Sequence, residues 1–197
     1  MAALNSDVTL ASAAKSFVAM TVTDSAALSA LEPEAAKILA NQPNHVPALM
    51  VNAAVQARSG DLVAAERSLG EVLRRFPEFA PAQKHLAALL VERPGKLDEA
   101  LNLATKARKT LGDDRELLEI FAGINFKKKN FSNVIGLLRI PAVGGGLSAR
   151  SLFYLGISYK EESNVSESQR ILQQALDAGL AEPHAGEATR ALEEMGE

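Results

Sequence analysis

The strongest constraint on the fold of this chain is a residue pattern that recurs at nearly constant spacing. A first series of small residues is Ala53, Ala87, Ala122 and Gly156, and a second is Ala65, Ala100, Val134 and Ser168. Both series advance by about 34 residues at each step, with one slightly longer step in each. Such a recurrence predicts small supersecondary units that stack, because one unit cannot bury its apolar face alone.

The two longer steps have one source, which supports this repeat frame. They run from Ala87 to Ala122 and from Ala65 to Ala100, and both span the turn Glu92–Gly95. This turn contains the helix-breaking pair Pro94-Gly95 and carries an extra residue. A chance alignment would scatter its errors along the chain. The repeats are therefore taken to be real, with one insertion in a turn.

The segment Ala149–Ala178 shows the pattern within a repeat most clearly. Leu155, Gly156 and Tyr159 are followed by Ser168, Leu172 and Ala175. A small residue on each of two helices lets their axes approach closely, and a large residue one turn away fills the space beside it. No stretch alternates β-branched and polar residues as a strand would.

This pattern resembles the tetratricopeptide repeat family, whose period is about 34 residues. The resemblance covers about Val46 to Gly179. It implies an all-α fold without sheet, a right-handed superhelix of antiparallel helix pairs (an α-solenoid). The frame predicts these segments: 1–45, a degenerate N-terminal repeat with capping helices; 46–79, 80–114, 115–148 and 149–182, repeats 1 to 4; and 183–197, a C-terminal capping helix.

Two prolines and one glycine run depart from the family pattern. The degenerate repeat has a first helix predicted over about 10–22, and Pro33 is expected to interrupt its second helix. In repeat 3, Pro141 is expected to end the second helix early. The residues Gly144–Gly146 then form a connector or, alternatively, a hinge.

The sequence shows no constellation of residues suited to catalysis. The absence of cysteine excludes disulfides, thiolate metal sites and a cysteine nucleophile. His45, His85 and His184 each lack an acid or a second His four residues on, so we expect exposed structural histidines. We therefore expect no catalytic residue, no metal, no cofactor and no enzyme activity.

Bulk properties narrow the class of partner. The net charge of −3 gives no basic footprint for nucleic acid. No apolar run approaches the ~18 residues needed to span a bilayer, so membrane insertion is not expected. The compartment stays open between the cytoplasm and, if a leader was trimmed, the periplasm.

The family resemblance implies where a partner binds. In that family the first helix of each repeat lines a concave groove. Partners usually contact the residues at the fifth, ninth and twelfth or thirteenth positions of a repeat. The corresponding residues here are Met50, Ala54, Ala57, Arg58, Lys84, Ala88, Val91, Glu92, Glu119, Gly123, Phe126, Lys127, Phe153, Ile157, Lys160 and Glu161, with Arg150 near the rim. This surface is mixed, with an apolar centre. The small residues Ala54, Ala88 and Gly123 would leave room for a ligand backbone, and apolar contacts would come from Met50, Phe126, Phe153 and Ile157.

We therefore expect a non-catalytic interaction scaffold or adaptor, bacterial in style, that binds an extended peptide or a helix in this groove. Family members that hold a chaperone's C-terminal carboxylate use Lys and Asn where this chain has Met50 and Ala54, which argues against that activity. Two alternatives stay open. One is self-association into a homodimer through the N-terminal helix or the C-terminal cap, and the other is a regulatory segment of a larger protein or enzyme.

Overall fold

The computed structural model describes residues 25–112, 114–144 and 146–196, and helices account for most of them. In chain order these are α1 (Ser25–Asn41), α2 (Val46–Arg58), α3 (Leu62–Arg75), α4 (Ala80–Val91), α5 (Leu97–Leu111), α6 (Arg115–Lys127), α7 (Phe131–Val143), α8 (Ala149–Glu161), α9 (Val165–Asp177) and α10 (His184–Gly196). No strand occurs in the described ranges, so the all-α prediction is confirmed there. The helix predicted over 10–22 lies outside the described residues.

The chain divides into two compact units, Met1–Leu89 and Leu90–Glu197, and the division falls inside α4. In the first unit α2 packs against both α1 and α3. In the second unit each helix from α5 to α10 packs against the next. There α8 also contacts α6 and α10, so alternate helices lie side by side as they do in a stacked repeat.

The turns inside the helix pairs share one backbone feature. A residue with positive φ occurs at Gly60 (84°), Gly95 (75°), Lys129 (60°) and Ser163 (61°). These positions recur at intervals of about 34 residues, as the second series of small residues does. In both sets the first interval is the slightly longer one. A left-handed residue ends a helix by turning the chain away from its axis. The repeat is therefore present in the backbone as well as in the side chains.

The residue after the left-handed one is the N-cap of the next helix. Asp61 Oδ1 accepts a hydrogen bond from the Ala64 backbone N–H at 3.0 Å, and Asn164 Oδ1 accepts one from Glu167 at 3.3 Å. Each bond satisfies one of the free N–H groups in the first turn of a helix. Gly60 therefore turns the chain out of α2 and Asp61 caps α3, as expected from the preference for glycine after a helix and for aspartate at an N-cap.

A close helix contact in the second unit lies between α8 and α9 at Gly156. A Cβ at this position would lie 2.6 Å from Leu172 Cδ2, 2.7 Å from Leu172 Cγ and 3.2 Å from the Leu172 backbone nitrogen. The buried Ser168 hydroxyl donates a 2.8 Å hydrogen bond to the Gly156 carbonyl across the same contact. Glycine is required here because the neighbouring helix occupies the space of a side chain.

The expectation that Pro33 interrupts the N-terminal helix is wrong, because α1 runs from Ser25 to Asn41 with Pro33 inside it. A proline in a helix interior costs about 3 kcal/mol. Packing on both sides of the proline offsets this cost. Leu28 precedes it and Ala35 follows it, and both are buried. Ala35 belongs to an apolar cluster formed by α1 and α2.

The expectation that Pro141 shortens the second helix of repeat 3 is also wrong. The helix α7 continues to Val143 and has 13 residues, the same number as α9. Pro141 lies in the last turn, where its missing N–H removes a hydrogen bond close to the end of the helix. The chain then leaves the helix at Gly144, the C-cap residue.

We predict that Gly156→Ala destabilises the second unit by about 1–3 kcal/mol, because the added methyl group meets the buried Leu172 side chain and its backbone. The matched control is Gly136→Ala in α7, where no atom beyond the adjacent residues and the nearby backbone of the same helix lies within 4 Å of the new Cβ. That change should stabilise the protein by up to about 1 kcal/mol through helix propensity. Urea unfolding followed by circular dichroism measures both, and a stable Gly156→Ala variant would contradict the close contact.

We also predict that Ser163→Gly stabilises the protein by about 0.5–1 kcal/mol, because Ser163 adopts a φ of 61° that glycine adopts without strain. The same substitution at Ser166, inside α9, should destabilise by a similar amount. Thermal unfolding of the two variants distinguishes these results. Equal losses in both would show that the turn has no left-handed strain to relieve.

Candidate partner-binding surface

The helices α6 and α8 carry most of the predicted contact residues of the second unit, and side-chain caps fix where each begins. Asp114 Oδ1 accepts from the Leu117 N–H at 3.0 Å, and Ser148 Oγ accepts from the Ser151 N–H at 3.2 Å. Glu119 joins the two helices, because its carboxylate accepts hydrogen bonds from the hydroxyls of Ser148 (2.5 Å) and Ser151 (2.8 Å). Glu119 therefore aligns α6 and α8.

Four rings from three helices form an aromatic cluster: Phe126, Phe153, Tyr154 and His184. Phe126 stacks on Tyr154 with ring centroids 4.5 Å apart, and Phe153 stacks on His184 at 4.6 Å. Phe153 is 0% exposed, so the expectation that it offers an exposed groove contact is wrong. Phe126 is half-buried. The cluster is part of the core between α6, α8 and α10.

His184 begins α10, as expected, but it is not the exposed residue that the sequence suggested. Its side chain is 21% exposed and covers Phe153. Its Nδ1 atom is buried and makes no hydrogen bond, and the nearest Glu187 oxygen lies 3.8 Å away. The spacing of acids and histidines along the sequence could not show this, because a neighbouring repeat supplies the ring it stacks on.

The small residue Gly123 does not leave room for a ligand. A Cβ added there would lie 3.3 Å from Val91 Cγ1 and 3.4 Å from Tyr154 Cε2. Val91 and Ile157, both predicted as contact residues, are 7% and 8% exposed. The apolar centre expected for this part of the groove is therefore filled by the protein itself.

Charged side chains remain accessible on the same face. Glu92, Lys127, Arg150 and the Tyr154 hydroxyl form a group that we call the Glu92 cluster. The Glu92 carboxylate accepts from Lys127 Nζ at 3.2 Å, Arg150 Nη1 at 3.3 Å and Tyr154 OH at 3.5 Å. Sequence reasoning predicted the charged members but missed Tyr154, because nothing in its spacing distinguishes it from a core residue.

The remaining predicted contact residues are dispersed. In the second unit Lys160 is paired with Glu194 of α10. In the first unit Met50 is 2% exposed and Lys84 is 9% exposed, so both are buried. Ala54 is half-buried, whereas Arg58 and Ala88 are exposed. The first unit does not gather these side chains into one accessible apolar surface.

The surroundings of Tyr154 hold its hydroxyl in the protonated form. Burial raises the pKa of Tyr154 well above its ordinary value of 10.0, and the negative charge of Glu92 raises it further. The positive charge of Arg150 lowers the pKa of Tyr154 but does not cancel these effects. Tyr154 is therefore a hydrogen-bond donor throughout the physiological pH range.

Within residues 25–112, 114–144 and 146–196, no three or more His, Asp and Glu side chains lie together as a metal site would need. No helix in the same ranges is long and apolar enough to cross a bilayer.

The architecture is that of a tetratricopeptide-like repeat fold, an all-α arrangement of consecutively packed helices. Among solved structures, the chain is similar to a tetratricopeptide repeat protein from Parabacteroides merdae ATCC 43184, with a TM-score of 0.55 and 21% sequence identity. The match covers 77% of this chain and 60% of that chain, so this chain spans less than two thirds of its neighbour. No protein-family model and no curated protein matches the sequence.

We predict that the stability of the wild type falls more steeply than that of Tyr154→Phe as the pH rises from about 9 to about 11. The folded protein holds the Tyr154 proton more tightly than the unfolded chain does. The contribution of Tyr154 to the free energy of unfolding is therefore complete below about pH 10 and is lost as the pH rises above it. The limiting difference in slope is about 1.4 kcal/mol per pH unit. Urea unfolding across this range measures it, and parallel pH profiles would contradict the shift.

Proposed function

We propose that the protein is a non-catalytic interaction module whose second unit binds a peptide segment of a partner protein through one face. This face consists of the accessible side chains of α6 and α8 together with Glu92, and we call it the first-helix face. The repeat fold supports the proposal, because stacked helix pairs present extended surfaces suited to peptides.

The observation that carries the proposal is the distribution of exposed groups on this face. The apolar side chains Val91, Phe153 and Ile157 are buried against neighbouring helices, whereas cationic side chains remain accessible. Arg150 is 57% exposed and Lys127 is 34% exposed. The expected contact is therefore mainly polar, with the half-buried Phe126 ring beside it. This replaces the mixed surface with an apolar centre that the sequence suggested.

If the proposal is correct, reversing charge on the first-helix face weakens peptide binding. The test selects binders to the immobilised wild type from a displayed library of random peptides and measures their affinities by isothermal titration calorimetry. The variant Lys127→Glu/Arg150→Glu should weaken the selected peptides by about tenfold or more, since each lost charge contact is worth up to about 1 kcal/mol.

The matched control reverses two charges on second helices, Arg139→Glu in α7 and Arg170→Glu in α9. This variant should retain affinity within about twofold, because its charge change is the same but lies outside the first-helix face. Circular dichroism checks that both variants are folded. A library that gives no binder, or equal losses in both variants, would show that the face is wrongly assigned.

A further inference from the structure

The Glu92 cluster has the composition of a carboxylate-binding site that is occupied by a residue of the protein itself. Its donors come from separate elements: Lys127 ends α6, whereas Arg150 and Tyr154 lie in the first half of α8. All three converge on one carboxylate, at 3.2, 3.3 and 3.5 Å. All three donors are far from Glu92 in sequence, so the cluster exists only in the folded unit.

Charge in this cluster is unbalanced. Two cations, Lys127 and Arg150, share the single anion Glu92, which leaves one positive charge in excess. Among the described residues, Glu92 is the carboxylate that pairs with each of them. A second carboxylate could therefore approach the cluster with net attraction. An incoming carboxylate that replaced Glu92 would find the same three donors.

The Glu92 carboxylate is accessible to solvent, and its ion pairs are long. Its distances to the two cations exceed the ~2.7–2.9 Å typical of charge-assisted hydrogen bonds, whereas the nearby pair Lys128–Asp98 lies at 2.6 Å. The Glu92 side chain is 34% exposed and follows the last residue of α4. Its carboxylate can therefore rotate into solvent without disturbing the core.

The position of the Tyr154 donor does not depend on Glu92. The Tyr154 ring is stacked on Phe126 and packs against Phe153 and His184, so its hydroxyl keeps its position when Glu92 leaves. A donor that is already in place loses less conformational entropy when it binds a ligand.

We propose that Lys127, Arg150 and Tyr154 bind a side-chain carboxylate of an acidic partner peptide, and that Glu92 competes with that carboxylate as an internal ligand. This inference rests on the proposed function and specifies the chemistry of the peptide. A side-chain carboxylate is the chosen ligand because a glutamate side chain is what these donors hold in the structure. Because a peptide must displace Glu92 to bind, peptides with several acidic residues bind and neutral ones do not.

The test is a fluorescence anisotropy titration with a fluorescein-labelled, C-terminally amidated peptide of alternating Glu and Gly residues. Glu92→Gln, which removes the competing charge, should bind about 5–10-fold more tightly than the wild type. Arg150→Gln should bind about 5–10-fold more weakly. A Gln–Gly peptide of the same length should not bind. The control Glu167→Gln removes the same charge from a pair with Arg170 in α9 and should match the wild type within about twofold.

Several outcomes would overturn the inference. Equal affinities for the wild type and Glu92→Gln would mean that Glu92 does not compete. If Glu167→Gln gains as much affinity for the peptide as Glu92→Gln does, net charge alone attracts the peptide. If the amidated Glu–Gly peptide does not bind but the same peptide with a free C-terminal carboxylate does, the site belongs to a chain terminus instead.

The peptide library distinguishes this failure from failure of the proposed function. Selected peptides that depend on the first-helix face but bind wild type and Glu92→Gln equally would leave the interaction module standing and remove the competing role of Glu92. Selected peptides that are rich in Asp and Glu and gain affinity in Glu92→Gln would support both.

Discussion

The close approach of α8 to α9 at Gly156 is the contact on which the second unit depends. Leu172 occupies the space that a side chain at position 156 would need, and Ser168 donates to the Gly156 carbonyl beside it. With the two axes this close, Leu155 and Leu172 are fully buried and α8 is fixed against its partner. The positions of Phe153 and Tyr154 follow, because both belong to the same rigid helix.

That fixed helix explains the character of the candidate surface. Once α8 packs between α6 and α10, its apolar side chains contact helices on both sides, and the rings of Phe126, Phe153, Tyr154 and His184 close the space between them. Charged groups near the ends of the helices stay in contact with water, because the free energy of removing them from water would exceed the attraction between the paired charges. The face is therefore polar at its centre, where the sequence predicted apolar contacts.

Much of the secondary structure could be predicted because it depends on short-range chemistry. The turn at Gly60 and Asp61 needs a left-handed residue and a capping side chain, and both are visible in sequence. The two proline predictions failed because the cost of a proline is local, whereas the packing that offsets it is not. At Pro33 that packing comes from α2. At Pro141 the position within the last turn decides the outcome.

For the candidate site, the sequence identified residues on the correct helices but could not tell exposed from buried members. Phe153 and Arg150 lie on the same helix, yet one is fully buried and the other is more than half exposed. The difference arises from His184, which begins α10, two helices further along the chain, and covers the Phe153 ring. A repeat pattern defines which helix a residue belongs to, but not what the neighbouring repeat places against it.

The sequence by itself determined the all-helical class, the period and the chemistry of the turns, because spacing, small residues and caps act over a few residues or one repeat. Only the tertiary structure decided which side chains reach solvent and that Lys127, Arg150 and Tyr154 meet Glu92. The physical reason is that burial and charge pairing depend on distances between residues that lie far apart in the chain, and those distances exist only after the helices have packed.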